Sequence, residues 1–433
     1  MQEILLSDIF DCNARITSIQ GTIITAPLRH TFIGERCRIY RSLSDPQVIG
    51  QAETIGFSQG NAVLCLLGGS DGISCSNIIV PDGTAFSLSV SMDTLGTVIN
   101  AQGEICERFA LPAPGNAFLP MLRPIMQSPP DYSERRSIDS LFATGVRAID
   151  GLLTCGIGQR VGIFAGAGAG KTSLMTMIIS HSSADVYVIG LVGERGREVT
   201  EFLAEGIPED KRDKTIVVYS TSDRPAVERR NAALIATTIA EYFRDAGKNV
   251  VLMIDSMTRY ARALRDVALS AGEMPARRGY PSSVFDNLPR ILERSGKTQF
   301  GSITAFYTVL LEEEEEVDPI GDEVRSILDG HIYLSRKLAG TGHYPAIDVL
   351  RSVSRVTRAV SSDEQREAAS LFRNYLSKLD ELKLMIELGE YQPGENPATD
   401  KIVGKTDIIK NFLQQKMEDK TSFTQMLESL YAI

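Results

Sequence analysis

A lysine and a threonine that close a glycine-rich stretch and open a helical pattern are suited to holding phosphate. This chain carries such a pair at Lys171 and Thr172, where the strand-like run RVGIF leads into AGAGAGKTSLMTMIIS. Gly166, Gly168 and Gly170 lack a Cβ, so they can take positive φ and turn successive backbone N–H groups inward around phosphate oxygens. The start of the following helix adds the positive end of its dipole. With Ala167, Ala169 and Ser173 the loop makes a cradle over 166–173, from which Lys171 reaches the β- and γ-phosphates and the Thr172 hydroxyl binds Mg²⁺. One position departs from the pattern: Ala165 stands where a first Gly is usual.

Two carboxylates follow at the ends of apolar runs. In VYVIGLVGERGREV, Glu194 stands just past a buried strand, where it can orient and polarise an attacking water, and Arg195 beside it can meet phosphate charge. In NVVLMIDSMTRYARAL the apolar run ends in Asp255, placed to coordinate Mg²⁺, and Arg259 four residues on is a further candidate for phosphate. Glu-Arg pairs commonly cap helices, and buried strands commonly end in Asp. The order of all three segments is what points to nucleotide hydrolysis.

Such side chains need a frame. The runs RVGIF, VYVIGLV, TIVVYS, NVVLMID and SITAFYTVL are apolar on consecutive positions and alternate with helical stretches such as AVERRNAALIATTIAEYFRDAG. That pattern predicts an α/β core of parallel strands buried on both faces and covered by helices. Residues 1–90 instead show short apolar runs broken by Gly, Pro, Asp and Asn, the signature of a small β-barrel. Pro-rich stretches, LPAPGNAFLP and QSPPDYSERRS, read as extended connections. Beyond residue 361 the strands stop. Leu371, Tyr375, Leu379, Leu382 and Met385 recur at helical spacing, and the breakers in GEYQPGENPATD separate that helix from two shorter ones. The domains expected are 1–90, 91–361 and 362–433.

Composition narrows the classes further. No run approaches the roughly 18 to 20 apolar residues of a membrane span, and MQEILLSDIFDC lacks the parts of a secretory signal. The chain reads as cytoplasmic, with any membrane association peripheral and through partners. Cysteines at 12, 37, 65, 75, 106 and 155 form no CxxC pair, so they are expected to be small buried or half-buried hydrophobes. The net charge of −10 argues against a general nucleic-acid binder. The glutamate run at 312–316 reads as a solvated loop. A hexameric nucleic-acid translocase of the Rho type would need an aromatic, basic platform near the amino terminus. Residues 1–90 offer only Phe10, Phe32, Tyr40, Phe57 and Phe86, with no Lys.

The three motifs, in this order and spacing, resemble the catalytic subunits of the rotary ATP synthase superfamily, from the barrel to about residue 360. GERGREV is similar to that family's GER[TG]RE segment, in which the Glu is the catalytic carboxylate. SRKLAGTGHYPAIDVLRSVSRV resembles the segment with an adenine-contacting Tyr-Pro and, eleven residues later, an arginine that completes the neighbouring subunit's site. By position these are Tyr344 and Arg355. The resemblance implies a homohexamer with sites at the interfaces, ringed through its barrels.

Within the superfamily, RYARALRDVALSAGEMPARRGYPSSVFDNLPRILERSG, GSITAFYTVL and ILDGHIYLSRKLA are most similar to the type III secretion ATPases and their flagellar export relatives. An ATP-synthase β subunit would carry a DELSEED-type lever, absent here, and a regulatory α-type subunit would lack the catalytic Glu. The resemblance thus implies Mg-ATP hydrolysis coupled to protein export at the base of a secretion apparatus, peripheral to the inner membrane. It also implies chaperone release and substrate unfolding. The partners it implies are a central stalk, stator or regulator proteins, and chaperone–effector complexes docking on the helical tail.

Overall fold

The computed structural model describes residues 13–433 apart from 43, 46, 112–119, 312–317, 389, 390, 393 and 395. The amino-terminal segment with Cys12, most of LPAPGNAFLP and the glutamate run lie outside the described residues.

Seven antiparallel strands build the amino-terminal unit. In spatial order they run Ala14–Arg15, Ile78–Ala85, Glu35–Tyr40, Val48–Ser58, Asn61–Leu67, Ile23–Ala26 and Ser18–Gln20. The first and last strands of that order are neighbours in the chain, so the sheet must curl until its edges nearly meet. Backbone bonds at the junction complete the turn: the Ile16 N–H donates to Asn77 O and the Thr17 N–H to Thr25 O. Inside lie Ile16, Ile24, Cys37, Ile39, Ala52, Leu64, Leu66 and Ile79. The outer face of the same wall (Ile55, Val63, Cys65 and Leu67) packs on Val227 and Val267 of the next unit. A buried network fastens the two, in which Glu53 accepts from Arg230 at 2.5 Å and from Asn231 at 3.1 Å.

The central sheet follows the order Ile105–Arg108, Thr97–Asn100, Thr215–Thr221, Val186–Glu194, Asn249–Asp255, Ser302–Leu310, Arg160–Ala165, Gly330–Leu334 and Ile347–Ser354. Every pair is parallel except at the two edges, with one short antiparallel strand, Gly296–Lys297, alongside Ser302–Leu310. The strand period of two sorts the apolar runs between two cores. Val186, Val188 and Val192 face the helices Ala226–Asp245 and Met257–Ser270, whereas Tyr187, Ile189 and Leu191 face the layer holding Lys171–His181. This is the α/β core that the consecutive apolar runs predict.

The carboxyl-terminal helices Asp363–Glu387, Thr406–Leu413 and Phe423–Tyr431 pack on that second layer. Two details differ from the sequence reading. Three short helices, not two, follow the long one, because Pro397 heads a helix and Asn396 caps it, accepting the Thr399 N–H. Tyr375 and Leu379 of the expected stripe pack on the core, but its first member is replaced by the next residue. Leu371 is 45% exposed, while Phe372 is fully buried against Phe412. In an adjacent Leu-Phe pair the periodicity is ambiguous by one position, and the ring contact decides it. The side chain of Met385 lies outside the described residues.

Among the described residues no helix is long and apolar enough to cross a membrane. Cys37, Cys65 and Cys155 are buried, and burial pushes the Cys37 thiol up to about 12. Cys75 and Cys106 are exposed, against expectation, since both lie on turns and edges outside the cores.

Candidate active site

The phosphate loop joins the strand Arg160–Ala165 to the helix Lys171–His181. Ala165 is the last residue of the strand, in register with Leu310 and Leu334, and its carbonyl accepts the Leu311 N–H. Its extended backbone tolerates a methyl group, so the departure from the motif falls where glycine is not needed. Positive φ occurs at Gly168 (79°) and Gly170 (87°) but not at Gly166. Gly166 has a different role from the one expected: a Cβ there would lie 2.3 Å from Arg336 Nε. Its missing side chain admits a guanidinium against the loop. Gly170 caps the helix without a side-chain bond, which leaves the first-turn N–H groups of Lys171, Thr172 and Ser173 directed at the loop's mouth. Ala167, Gly168 and Thr172 are exposed there, and Ala169 is buried beneath.

Lys171, Glu194 and Asp255 converge at the carboxyl edge of the sheet. The Lys171 ammonium donates to Asp255 Oδ1 at 2.5 Å and stands 3.6 Å from Glu194 Oε1. Asp255 is in register with Leu191, and Glu194 lies three residues further along its strand with one of them taken up by a bulge. The Glu194 backbone therefore stands about 7 Å farther out, while both carboxylates reach the same ammonium. The depth difference suits a deep metal ligand and an outer water-activating group. A bulge at Gly193 (φ 65°) turns Glu194, and a Cβ on Gly193 would meet Arg259 Cδ at 3.3 Å. Through that gap Arg259 binds Glu194 Oε2 at 2.5 Å and the Gly193 carbonyl at 2.8 Å. Arg259 therefore holds the carboxylate, a different place from the phosphate contact considered from sequence.

Glu194 is buried, and its Oε1 accepts no hydrogen bond among the described residues. Burial pushes its carboxyl above the ordinary range and the nearby Glu198 carboxylate adds to this, while Lys171 and Arg259 pull it down. Glu198 is held low, first by its interaction with Glu194. One oxygen clamped by an arginine and one left to accept a proton is the arrangement of a general base. Thr308, on the strand Ser302–Leu310, donates to Asp255 Oδ1 at 2.7 Å and orients the aspartate. SITAFYTVL carries two threonines, and nothing local marks Thr308 rather than Thr304 as the one beside the site.

The remaining candidates fall in three places. Tyr344 lies on its own phosphate loop, with ring atoms 3.2 and 3.4 Å from where a Cβ on Gly170 would be. Arg195 is 75% exposed and pairs with Glu198 at 3.3 Å, on the rim. Arg355 stands elsewhere. Ala165 pairs with Leu334 and Val161 with Gly330, and the antiparallel edge strand runs back from Ile347, opposite Leu334, to Ser354, opposite Gly330. Arg355 follows Ser354, about 13 Å along the strands from the loop end. It is exposed, and its N–H donates to Asp329 O at 2.9 Å.

The oxygen donors fit Mg²⁺ in character, since Thr172 offers a hydroxyl and Asp255 a carboxylate, both hard ligands. Among the described residues no three His, Cys, Asp or Glu side chains gather into a metal cluster. Thr172 and Asp255 are thus suited to a cation that arrives with nucleotide phosphates rather than to an all-protein cage.

Residues 145–354 match the ATP synthase alpha/beta family nucleotide-binding domain, and residues 361–432 match the C-terminal domain of the type III secretion ATPase EscN. The SPI-1 type 3 secretion system ATPase of Salmonella typhi is 55% identical over 96% of this chain and 95% of its own. The assembled ATPase EscN of the enteropathogenic E. coli type III secretion system superposes with a TM-score of 0.88 at 47% identity, over 97% of this chain and 99% of that one. EscN in complex with its central stalk EscO superposes with a TM-score of 0.86 at 46% identity, over the same shares.

Proposed function

This chain belongs to the type III secretion ATPase family and hydrolyses ATP for protein export, and from that premise we propose that its working form is a homohexameric ring with an ATP site at each interface. In that reading the loop 166–173 holds the phosphates and the Tyr344 ring receives the adenine. Thr172 and Asp255 would hold Mg²⁺, which supplies charge neutralisation at the phosphates. Glu194 takes a proton from the attacking water, and Lys171 balances the growing charge on the phosphoryl oxygens. Arg355 of a neighbouring copy completes the set. Arg195, on the rim, supports the phosphate charge at longer range.

The observation that carries this reading is Glu194, buried, clamped by Arg259 on one oxygen and open on the other, beside Lys171. The domain roles follow. The barrel at 1–90 joins neighbouring copies, the core at 91–361 turns over ATP, and the tail at 362–433 receives chaperone–effector complexes. A central stalk of the kind seen with EscN would occupy the ring's centre, stator and regulator proteins would hold the ring beneath the inner membrane, and chaperone release and substrate unfolding would be its work.

The test is specific activity against protein concentration, with size followed by light scattering. Turnover per chain should climb steeply as rings form. A flat profile from monomer to ring would remove the shared site.

A further inference from the structure

Among the contacts of the carboxyl-terminal helices with the core, one buried glutamine bonds the segment that carries Tyr344. Gln415, 5% exposed, follows the helix Thr406–Leu413. Its backbone N–H donates to the carbonyl of Tyr344 at 2.9 Å. Its side chain is fully engaged on the other side: Oε1 accepts the Arg147 N–H at 2.9 Å, and Nε2 donates to Gly145 O at 2.8 Å and to Asp419 O at 2.7 Å. Arg147 returns the grip, its guanidinium donating to the carbonyls of Asn411, Phe412 and Gln414.

Both segments held by Gln415 touch the helix that begins at Lys171. Tyr344 lies on Gly170, its cap, and Gly145 lies so close to His181, its last residue, that a Cβ would approach His181 Cβ to 2.3 Å. A buried amide with every polar atom bonded has one geometry, because leaving any of those groups unpaired is costly.

We propose that Gln415 is a positioning residue for ATP binding, through which the carboxyl-terminal helices set how Tyr344 stands on the phosphate loop. This rests on Tyr344 receiving the adenine. A partner that displaces the segment carrying Gln415 would then loosen nucleotide without touching the phosphate loop, and bound nucleotide would in turn stiffen the tail.

The test is a double-mutant cycle on the assembled full chain, reading KM for ATP and kcat. Gln415→Met keeps length and loses the side-chain bonds. It should raise KM about fivefold and leave kcat within about twofold. In a Tyr344→Ala background the same change should add nothing to KM. Arg147→Ala, which loosens the tail without bonding Tyr344, is the structural control: it should lower the thermal midpoint and leave KM in place. An unchanged KM in Gln415→Met, the same factor in both backgrounds, or an equal KM rise in Arg147→Ala each overturns the proposal. If Tyr344→Ala alone leaves KM unmoved, the adenine reading fails and the relay falls with it, a result separable from the others. Should Gln415→Met fail to fold, Gln415→Glu, which keeps the acceptor for Arg147, enters the same cycle with the same expectations.

Discussion

Lys171 and Arg355 stand at opposite ends of one sheet, Lys171 beyond the strand end at Ala165 and Arg355 beyond the one opposite Gly330. An arginine so placed cannot reach the phosphates held by its own chain, so any service as a finger is to a neighbouring copy. A finger supplied this way is worth about 10³ to 10⁵ in rate. Arg355→Ala rings and Glu194→Gln rings should each be nearly inactive. Mixed one to one, they should regain activity, because about a quarter of the interfaces then join an intact Arg355 to an intact Glu194. Mixed rings that form and stay inactive would contradict action across the interface.

Glu194→Gln alone separates binding from turnover. The amide keeps the shape and an acceptor for Arg259 but takes no proton. Hydrolysis should fall about 10² to 10⁴-fold, with ATP affinity within a few-fold of the parent. Binding of a fluorescent ATP analogue alongside single-turnover hydrolysis measures both. Unimpaired turnover would falsify the general-base role.

The acid side of the pH–rate profile reports the same carboxyl. Its working form is the carboxylate, so activity is lost as pH falls through its pKa. Burial raises that pKa, which puts the loss above the ordinary carboxylate range. Arg259 opposes the shift. Arg259→Ala should therefore move the acid limb of kcat/KM to still higher pH. A limb that stays where it was, in a folded variant, would mean that another group titrates.

The core was legible because its physics is local. Strands buried on both faces read as continuous apolar runs, and the turn before Lys171 needs small residues in a row. The same reading failed where a residue's task is set from far along the chain. Gly166 looked like its neighbours Gly168 and Gly170, but its partner is Arg336, 170 positions away and on another strand's exit. Arg259 was visible as a charge beside the site, yet its direction depends on a bulge at Gly193 that no pattern announces. Gln415 sits in a polar stretch, NFLQQKMEDK, and nothing local distinguishes it from Gln414. Arg355 and Tyr344 came only through resemblance. Their opposite positions on the sheet follow from an antiparallel edge strand, a matter of topology and not of spacing.

The two kinds of glycine in the loop can be told apart by substitution. Gly166→Ala places a methyl where Arg336 lies, so the guanidinium must move, at a cost of about 1–3 kcal/mol. Gly168→Ala meets open space but must hold φ near 79°, which costs about 1–2 kcal/mol whatever surrounds it. Both variants should bind ATP more weakly. Only the first has a removable cause: Arg336→Ala should restore binding to Gly166→Ala, relative to Arg336→Ala alone, and should do nothing for Gly168→Ala. Titration of a fluorescent nucleotide into the three single variants and the two doubles decides it. Equal rescue of both, or of neither, would mean that Arg336 does not set the conformation of the phosphate loop.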